Sequence, residues 1–229
     1  MKILYQGSPG AYSHLAAKEL YPNAEIISCK TFDECFVKAE QDKNSRIIIP
    51  ESNRITGNIG IEYLIFKHRL NIYAEHSYRV EHYLLGMQGA KLKDIKNVYS
   101  HAQALSQCSD FIKKNNINEN VRADTAGSAA LISNNKNKND AAIASKLSAE
   151  IYKLDVIASN IENEKGNVTR FLIMGKNIFQ PEFGKDNYIT SFLFKLKSKP
   201  AALYLSLIHI SEPTRPERIA YAVFCVEKK

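Results

Sequence analysis

The chain has 229 residues, of which 45% are hydrophobic, and a formal net charge of +7. This size allows a substantial core in one or two domains. The sequence has no run of 18 apolar residues and no basic block interleaved with aromatic residues, which argues against a membrane span and against nucleic-acid binding. The four cysteines, at positions 29, 35, 108 and 225, form no CxxC pair and are expected to be reduced thiols. The first residues are too few and too soon interrupted to be a signal peptide, so we expect a cytosolic protein.

Strand and helix patterns alternate along most of the chain. Thr31, three positions before Glu34, predicts the N-cap of one helix, and Pro50 is expected to end a buried strand. The alternation predicts an α/β fold with mostly parallel sheets, whose ligands bind in crevices beyond the strand ends. The predicted strands span residues 2–5, 25–28, 46–49, 70–75, 79–85, 97–99, 121–123, 141–144, 155–159, 172–174 and 188–197. The predicted helices span residues 11–20, 32–41, 60–66, 102–114 and 146–151, with another after residue 124.

The segment 166–171 places a hydroxyl, a guanidinium and an aromatic ring side by side before an apolar strand. These groups suit a small anionic substrate, because Arg170 can bind a carboxylate, the Thr169 hydroxyl can supply a proton to the substrate and Phe171 can exclude water. Neighbours in an extended chain point to opposite faces, so Thr169 and Phe171 would share a face that Arg170 does not. Arg170 therefore either joins them through a bend or has a structural role. Thr169 and Phe171 have the ordinary alternatives of a strand-end residue and a core residue.

Five further segments occur in a fixed order before this one, and together they resemble the prephenate dehydratase family over residues 1 to about 204. Two residues in the second segment depart from the family pattern, since Ser52 and Arg54 stand where Glu and Ser or Thr are usual. Ala102 replaces a proline in the third. The segments span residues 6–13, 50–57, 100–108, 124–129 and 141–145.

The resemblance implies a lyase that converts prephenate to phenylpyruvate, with loss of water and carbon dioxide, in phenylalanine biosynthesis. It implies no cofactor and no metal, and the sequence offers neither a metal-spaced cluster nor a nucleotide-binding fingerprint. It also implies a two-lobed fold like a type 2 periplasmic binding protein. The catalytic domain would then span 1–180, with lobe 1 at about 1–75 and 160–180 and lobe 2 at about 76–159.

The family's catalytic positions carry over to Thr169, Arg170, Phe171, Asn53, Ser100 and Gln107. A threonine hydroxyl is too weak an acid to ionise at neutral pH, so Thr169 is expected to relay a proton or to hydrogen-bond to the departing oxygen. Asn53, Ser100 and Gln107 would line the cleft as neutral hydrogen-bonding groups. Ser100 has the alternative of capping the helix at 102, Gln107 that of a solvated surface residue, and Arg170 that of tying the lobes together.

Four residues are further candidates for binding the substrate: Ser13, His101, Thr125 and Ala126. Ser13, Thr125 and Ala126 lie where turns lead into helix N-termini, which favour carboxylates. His101 has the free pKa of an acid catalyst, about 6.5, with the alternative of a packed or capping residue. A nucleophilic pair of His101 and Cys108 is disfavoured, because an elimination needs no covalent intermediate.

The C-terminal part of the sequence changes character. Residues 181–187 are expected to be a linker, and 188–204 resemble the truncated start of an ACT domain, the family's phenylalanine-binding regulatory module. Residues 205–229 resemble no part of the family and look like translated sequencing adapter, so we expect a non-native tail there. L-Phenylalanine inhibition is then expected to be lost. Intact members of the family imply a homo-oligomer, either a dimer or a tetramer.

Two other interpretations remain open from the sequence. The first is a non-catalytic two-lobed binding protein for a small anionic metabolite, in which Thr169 has no special position. The second is a transcriptional effector-binding domain of similar fold, although no DNA-reading helix precedes it.

Overall fold

A computed structural model describes residues 1–177, 188–194 and 221–228. Two sheets form the centres of two lobes, with strand order β12-β13-β5-β11-β3-β1-β2 in the first, where β4 pairs with β3, and β10-β6-β9-β7-β8 in the second. The strands are β1 (Lys2–Gln6), β2 (Glu25–Cys29), β3 (Ser45–Asn53), β4 (Gly57–Asn58), β5 (Asn71–Arg79), β6 (Tyr83–Gly86), β7 (Asn97–His101), β8 (Asn118–Arg122), β9 (Asp140–Ala144), β10 (Asp155–Ser159), β11 (Val168–Gly175), β12 (Tyr188–Phe194) and β13 (Tyr221–Lys228). The helices are α1 (Tyr12–Leu20), α2 (Phe32–Gln41), α3 (Glu62–His68), α4 (Ala102–Gln107), α5 (Ser109–Lys114), α6 (Thr125–Asn135) and α7 (Lys146–Tyr152), with a 3₁₀ turn at Leu92–Asp94.

The predicted fold class, α/β in two lobes, is confirmed. The expectation of mostly parallel sheets is wrong, because each sheet combines parallel and antiparallel neighbours: β1 is parallel to β2 and β3, and β7 is parallel to β8 and β9, whereas β11 is antiparallel to β3 and β5, and β6 to β9 and β10. Some of the antiparallel pairs arise where the chain crosses between the lobes, as when β11 returns to the first sheet between β3 and β5.

Both faces of the first sheet are buried, as the alternation along β3 requires. Ile47 and Ile49 pack with Phe36 and Leu172 on one face, which α2 covers. Ile48 packs on the other face with Tyr5 and Phe171, which α1 covers. Thr31 caps α2 as predicted, since its hydroxyl accepts a hydrogen bond from the Glu34 N–H at 3.1 Å.

The prediction that Pro50 ends the third strand is wrong, and the error matters for the site. Strand β3 continues to Asn53, and its pairing with β11 shifts between Arg170 and Phe171, so that Pro50 lies at a β-bulge. Proline has no N–H to give to a ladder, and a bulge is one of the few places where a strand tolerates it. The continuation brings Asn53 opposite Thr169.

Several other boundaries differ from the prediction. The strand expected at 172–174 is β11, which begins at Val168 and so contains Thr169, and the strand expected at 121–123 is Asn118–Arg122. The strands expected at 70–75 and 79–85 are β5, which runs unbroken to Arg79, and β6, which begins at Tyr83. The helix expected over 102–114 is interrupted at Cys108, where α4 ends and α5 begins.

The two strands nearest the C-terminus join the first sheet. Strand β12 pairs antiparallel with β13, and β13 pairs with β5 at its last two registered positions, Glu227 and Lys228. Part of the predicted tail is therefore placed beside the sheet. The predicted linker at 181–187, the end of the ACT-like segment and residues 205–220 lie outside the described residues, so the domain division stays a prediction. Across the described ranges, no helix has the length and apolar character needed to cross a membrane.

Candidate active site

The ends of β3 and β11 place Asn53 beside Thr169. These two residues are registered partners in the sheet, and the Asn53 Nδ2 donates to the Thr169 Oγ1 at 2.9 Å. Both side chains are almost buried, each about 8% exposed. Of the catalytic residues predicted from the sequence, these two are brought into direct contact.

The orientation of the Asn53 carboxamide is fixed by the turn that follows it. Its Oδ1 accepts hydrogen bonds from the N–H groups of Ile55 at 3.0 Å and Thr56 at 3.2 Å. Backbone N–H groups can only donate, so the opposite end of the carboxamide must be the donor. Asn53 is therefore constrained to present its NH₂ group to Thr169.

The same NH₂ group begins a chain of hydrogen bonds that reaches the second lobe. Asn53 Nδ2 donates to Asn167 Oδ1 at 2.7 Å, and Asn167 Nδ2 donates to Gln107 Oε1 at 3.0 Å. The same oxygen of Gln107 lies 2.8 Å from His82 Nε2, and His82 Nδ1 lies 2.9 Å from the Tyr12 hydroxyl. Gln107, predicted to line the cleft, is thus linked to Asn53 and Thr169 through Asn167, and it is not a solvated surface residue.

This arrangement leaves the hydrogen of the Thr169 hydroxyl available. Its oxygen accepts from Asn53, and across the part of the chain that the structure describes no acceptor lies within hydrogen-bond distance for the hydroxyl hydrogen. A hydroxyl that accepts from a fixed donor is polarised and turns its own hydrogen outward. Thr169 can therefore donate a hydrogen bond to an added molecule.

Arg170 has a structural role, and the segment does not bend to bring Arg170 into one pocket with Thr169 and Phe171. Strand β11 is extended here, and the Arg170 Nε donates to Glu75 Oε2 at 2.7 Å while Nη1 lies 3.3 Å from Glu51 Oε2. Both carboxylates belong to strands that flank β11. The ion pairs hold three strands of one sheet together and do not tie the lobes to each other.

Phe171 and Ser100 are both fully buried. Phe171 is 1% exposed and packs in the core between the first sheet and α1. The Ser100 hydroxyl donates to the Ile143 carbonyl at 2.6 Å, across the second sheet. Ser100 does not cap α4, so that alternative is wrong. The Ser100 hydroxyl forms no hydrogen bond to Asn53 or Thr169 among the described residues, and the Phe171 ring belongs to the core, so their proposed roles in the chemistry gain no support from the geometry.

His101 has the capping role. It is the N-cap of α4, and its Nδ1 accepts from the Gln103 N–H at 3.3 Å. Cys108 is fully buried, and burial raises the pKa of its thiol well above the usual range. A thiolate there is strongly disfavoured, which argues against a nucleophilic Cys108.

The predicted substrate-anchoring residues lie at the starts of helices, but one of those helix ends already has an anion. The N-cap of α6 is Asp124, whose carboxylate accepts from the Gly127 N–H. Thr125 and Ala126 therefore lie at a helix end whose dipole is compensated, which weakens the case for a substrate carboxylate there. Ser13, in the first turn of α1, is 7% exposed.

The loop before α1 is attached to the second lobe. Ser145 Oγ and Ser148 Oγ donate to the Gly10 carbonyl at 2.6 and 3.1 Å, and the Tyr152 hydroxyl donates to the Pro9 carbonyl at 2.9 Å. Across the cleft, the Gln103 side-chain amide donates to Thr56. These contacts hold the two lobes close together on either side of the site.

A cavity of about 300 Å³ opens beside Asn53. Its lining includes both residues that depart from the family pattern, and Thr169 is not among them. Arg54 there is exposed, and within the described ranges no carboxylate lies within ion-pair distance of its guanidinium. The cavity therefore offers one cation without a counter-charge. The lining residues are Ser52, Asn53, Arg54, Val168 and Arg170.

Sequence reasoning did not single out Asn167, His82 or Tyr12. Asn167 lies in the segment that carries Thr169, so its motif position was a usable signal. His82 lies between two strands in a segment predicted as continuous strand, and Tyr12 lies at a helix start. Only the pairing of the lobes brings these last two side chains together.

Comparisons with known proteins cover most of the chain. A family model described as prephenate dehydratase matches residues 3–178. Arogenate dehydratase 2 of Petunia hybrida is 38% identical over 208 residues, which cover 90% of this chain and 52% of that protein. Arogenate dehydratase/prephenate dehydratase 1, chloroplastic, of Arabidopsis thaliana is 37% identical over 227 residues, covering 95% and 58%. The chain spans about half the length of these curated relatives.

Solved structures are similar over most of the chain. A protein described as GqqA, a novel type of quorum quenching acylases, has a TM-score of 0.85 and 29% identity, covering 99% of this chain and 87% of that one. The prephenate dehydratase of Staphylococcus aureus has a TM-score of 0.75 and 25% identity, covering 99% and 88%. The prephenate dehydratase of Arthrobacter aurescens in complex with L-Phe has a TM-score of 0.81 and 22% identity, covering 90% and 71%, and shows the shared fold.

Proposed function

The chain belongs to the prephenate dehydratase family, and from that premise we propose that it converts prephenate to phenylpyruvate with loss of water and carbon dioxide. The observation that carries the proposal is the contact of Asn53 with Thr169, which leaves a hydroxyl hydrogen free to meet a departing oxygen. The relatives named arogenate dehydratases make arogenate the other substrate to test.

The proposed reaction requires the protein to assist the departure of hydroxide. In prephenate the bond from the ring to its carboxylate breaks, its electron pair completes the aromatic ring, and the C–O bond to the ring hydroxyl breaks. Aromatisation drives the change, so the barrier lies in expelling hydroxide. A donor that hydrogen-bonds to the oxygen as negative charge builds on it lowers that barrier selectively, because the bond strengthens toward the transition state.

Thr169 is the proposed donor. Its hydroxyl need not ionise, since a hydrogen bond to the leaving oxygen stabilises the developing hydroxide, which takes its final proton from water. Asn53 supports this role by fixing the oxygen of Thr169 from behind. Positioned donors of this kind typically contribute about 10²- to 10⁴-fold in rate.

Arg54 is proposed to attract the substrate. Prephenate carries two carboxylates, and Arg170, the other cation at the cavity, is already paired with Glu51 and Glu75. Arg54 has no such partner within the described residues, so it can approach a substrate carboxylate without first breaking an ion pair. Its exposure makes this a contribution to binding rather than to the chemical step.

The likeness to GqqA raises acyl-amide hydrolysis as a second candidate. Acyl transfer in that chemistry needs an activated nucleophile. Cys108 is buried with a raised pKa, and the Ser100 hydroxyl is bonded to a backbone carbonyl. The candidate nucleophiles around α4 therefore favour the dehydratase. A binding protein without catalysis is the third alternative, and turnover of prephenate by the purified protein would exclude it.

Regulation, assembly and location are proposed from the family. L-Phenylalanine would act through an ACT domain, whose first part residues 188–204 resemble, and we propose that intact members of the family are regulated in this way. We also propose that 205–229 are a non-native tail, that the intact enzyme is a dimer or tetramer, and that it works in the cytoplasm.

The test of the proposed function is direct. Purified protein is mixed with prephenate at pH 7.5, where the acid-catalysed background is small, and phenylpyruvate is measured by its absorbance after alkali is added. Parallel reactions contain arogenate, with phenylalanine as the product measured, and an N-acyl homoserine lactone. Formation of phenylpyruvate above the Thr169→Ala control supports the proposal, whereas activity on the lactone alone would replace it with the acylase.

A further inference from the structure

We propose that His82 is a positioning residue for Thr169, and this inference rests on the proposed function. His82 is 2% exposed and lies between β5 of the first sheet and β6 of the second, where the chain crosses from one lobe to the other. Its carbonyl accepts from the Ile161 N–H at 3.3 Å, and its own N–H donates to Glu162 Oε2 at 3.2 Å. Residues 161 and 162 lie in the second crossing, so His82 is fixed where both crossings meet.

The direction of every hydrogen bond from Asn53 to His82 follows from the backbone. The N–H groups of Ile55 and Thr56 force the Asn53 NH₂ toward Asn167 Oδ1. Asn167 must then offer its NH₂ to Gln107, whose oxygen is thereby placed toward His82. Two acceptors cannot face each other, so His82 Nε2 carries a hydrogen and donates it to that oxygen at 2.8 Å.

The other side of the ring is held by Tyr12. The Tyr12 hydroxyl lies 2.9 Å from His82 Nδ1 and 2.7 Å from the Glu81 carbonyl, and the two rings meet edge to face with centroids 5.7 Å apart. Neutral His82 with its hydrogen on Nε2 accepts at Nδ1, so the tyrosine hydrogen is shared between two acceptors. The imidazole therefore cannot rotate without losing bonds on both sides.

The consequence for the site is a defined position of Gln107 relative to Thr169. Gln107 belongs to the second lobe, whereas Asn53 and Thr169 belong to the first. His82, in the crossing segment, donates a hydrogen bond to the Gln107 oxygen and so holds the Gln107 carboxamide within hydrogen-bond distance of Asn167. Removing that donor leaves the oxygen with one partner, and Asn167 and Asn53 then lose the restraint that fixes the Thr169 hydroxyl.

Two substitutions of His82 distinguish the effect of its Nε2 hydrogen-bond donor from the effect of the imidazole ring itself. In His82→Gln the side-chain amide reaches the position of Nε2 and can still donate to Gln107, whereas in His82→Asn the shorter amide reaches only the position of Nδ1. Asn167→Ala breaks the same chain one link nearer to Thr169. We expect His82→Asn to lower kcat about tenfold or more with less than a threefold change in KM, Asn167→Ala to do the same, and His82→Gln to restore most of kcat.

A measurement that does not depend on turnover accompanies the kinetics. Side-chain amide NMR signals of Asn53 and Gln107 should shift in His82→Asn and stay near the wild-type positions in His82→Gln. Equal kcat losses in the Gln and Asn variants, an unchanged kcat in Asn167→Ala, or unshifted Asn53 signals would overturn the inference. Should His82→Asn fail to fold, Asn167→Ala still decides it. An inactive wild type would refute the proposed function, while the NMR comparison still tests the positioning.

Discussion

The Nδ2 of Asn53 lies 2.9 Å from the Oγ1 of Thr169, and the carboxamide that supplies it is oriented by two backbone N–H groups of its own turn. A local turn in one strand thus determines the direction in which a hydroxyl on another strand can donate. The chemistry proposed for this site follows from that relationship.

Thr169→Ala removes the proposed donor to the leaving oxygen. We expect kcat to fall about 10²-fold or more, because the loss is felt chiefly in the transition state. Thr169→Ser keeps a hydroxyl at the same position and should retain far more activity. Steady-state kinetics with prephenate test both variants, and an Ala variant with wild-type kcat would remove Thr169 from the mechanism.

Asn53→Asp replaces the NH₂ donor with an oxygen while keeping the shape of the side chain. The carboxylate would face the oxygens of Thr169 and Asn167, so one contact becomes repulsive or the threonine turns its hydrogen inward. We expect a loss of kcat comparable to that of Thr169→Ala and a lower melting temperature. The double variant with Thr169→Ala should lose little more, since both act through one contact; additive losses would contradict the coupling.

Arg170→Met tests whether the guanidinium binds substrate or holds the sheet. Glu51 and Glu75 would be left without their cation, and we expect a loss of about 1–3 kcal/mol in the free energy of unfolding. Urea denaturation measures this loss, and KM should change less than threefold. Arg170→Lys is the matched control, because it keeps the positive charge but lacks the planar set of N–H donors of the guanidinium group. A tenfold rise in KM with unchanged stability would restore the substrate-binding role.

Gly10→Ala tests the attachment of the first loop to α7. Gly10 has a φ of +95°, and an added Cβ would collide with the Ser148 hydroxyl. We expect a destabilisation of at least about 1–3 kcal/mol from the backbone conformation alone, and more from the collision. Gly57→Ala is the control, since its φ is +81° and nothing lies within 4 Å of the added carbon. Melting temperatures that fall equally in both variants would mean that the contact with Ser148 contributes nothing.

Mild acid should weaken the fold through two histidines. Burial lowers the pKa of His82 and of His14 below the usual value of 6.5. Below about pH 6.5 these histidines are protonated in the unfolded chain but stay neutral in the folded one. The free energy of unfolding therefore falls as the pH is lowered, until the pH is below the pKa values of the folded protein. Urea denaturation between pH 7.5 and 5 measures this. His82→Gln should show a shallower dependence, and an identical slope in both proteins would exclude His82 as a contributor.

Much of the secondary structure could be predicted from local patterns. Residues 32–41 begin at a threonine cap and end as predicted, because the capping and the apolar spacing are both local. The end of β3 could not be predicted, since whether a strand passes a proline depends on the partner strand and its bulge. The same applies to Arg170, whose two carboxylates come from strands more than 90 residues away.

The site was predicted in part for a similar reason. Asn53, Gln107 and Thr169 stand in motifs and are linked through Asn167, whereas Ser100 and Phe171 stand in the same motifs and are buried outside this chain of hydrogen bonds. A motif records which positions matter and does not separate chemistry from packing. His82 carries no local signal at all, because its role depends on Gln107 and Tyr12 meeting it from different elements.

The bulge beside Pro50 also decides which changes of length this strand can accept. Phe171 pairs with Pro50 and Thr169 with Asn53, so four residues on β3 lie opposite three on β11. Deleting one residue between Pro50 and Asn53 would convert the bulge into regular pairing and leave Asn53 opposite Thr169. Inserting one residue there, with the bulge unchanged, would instead place Ser52 opposite Thr169 and turn the Asn53 carboxamide to the other side of the sheet, without altering any side chain of the reacting group.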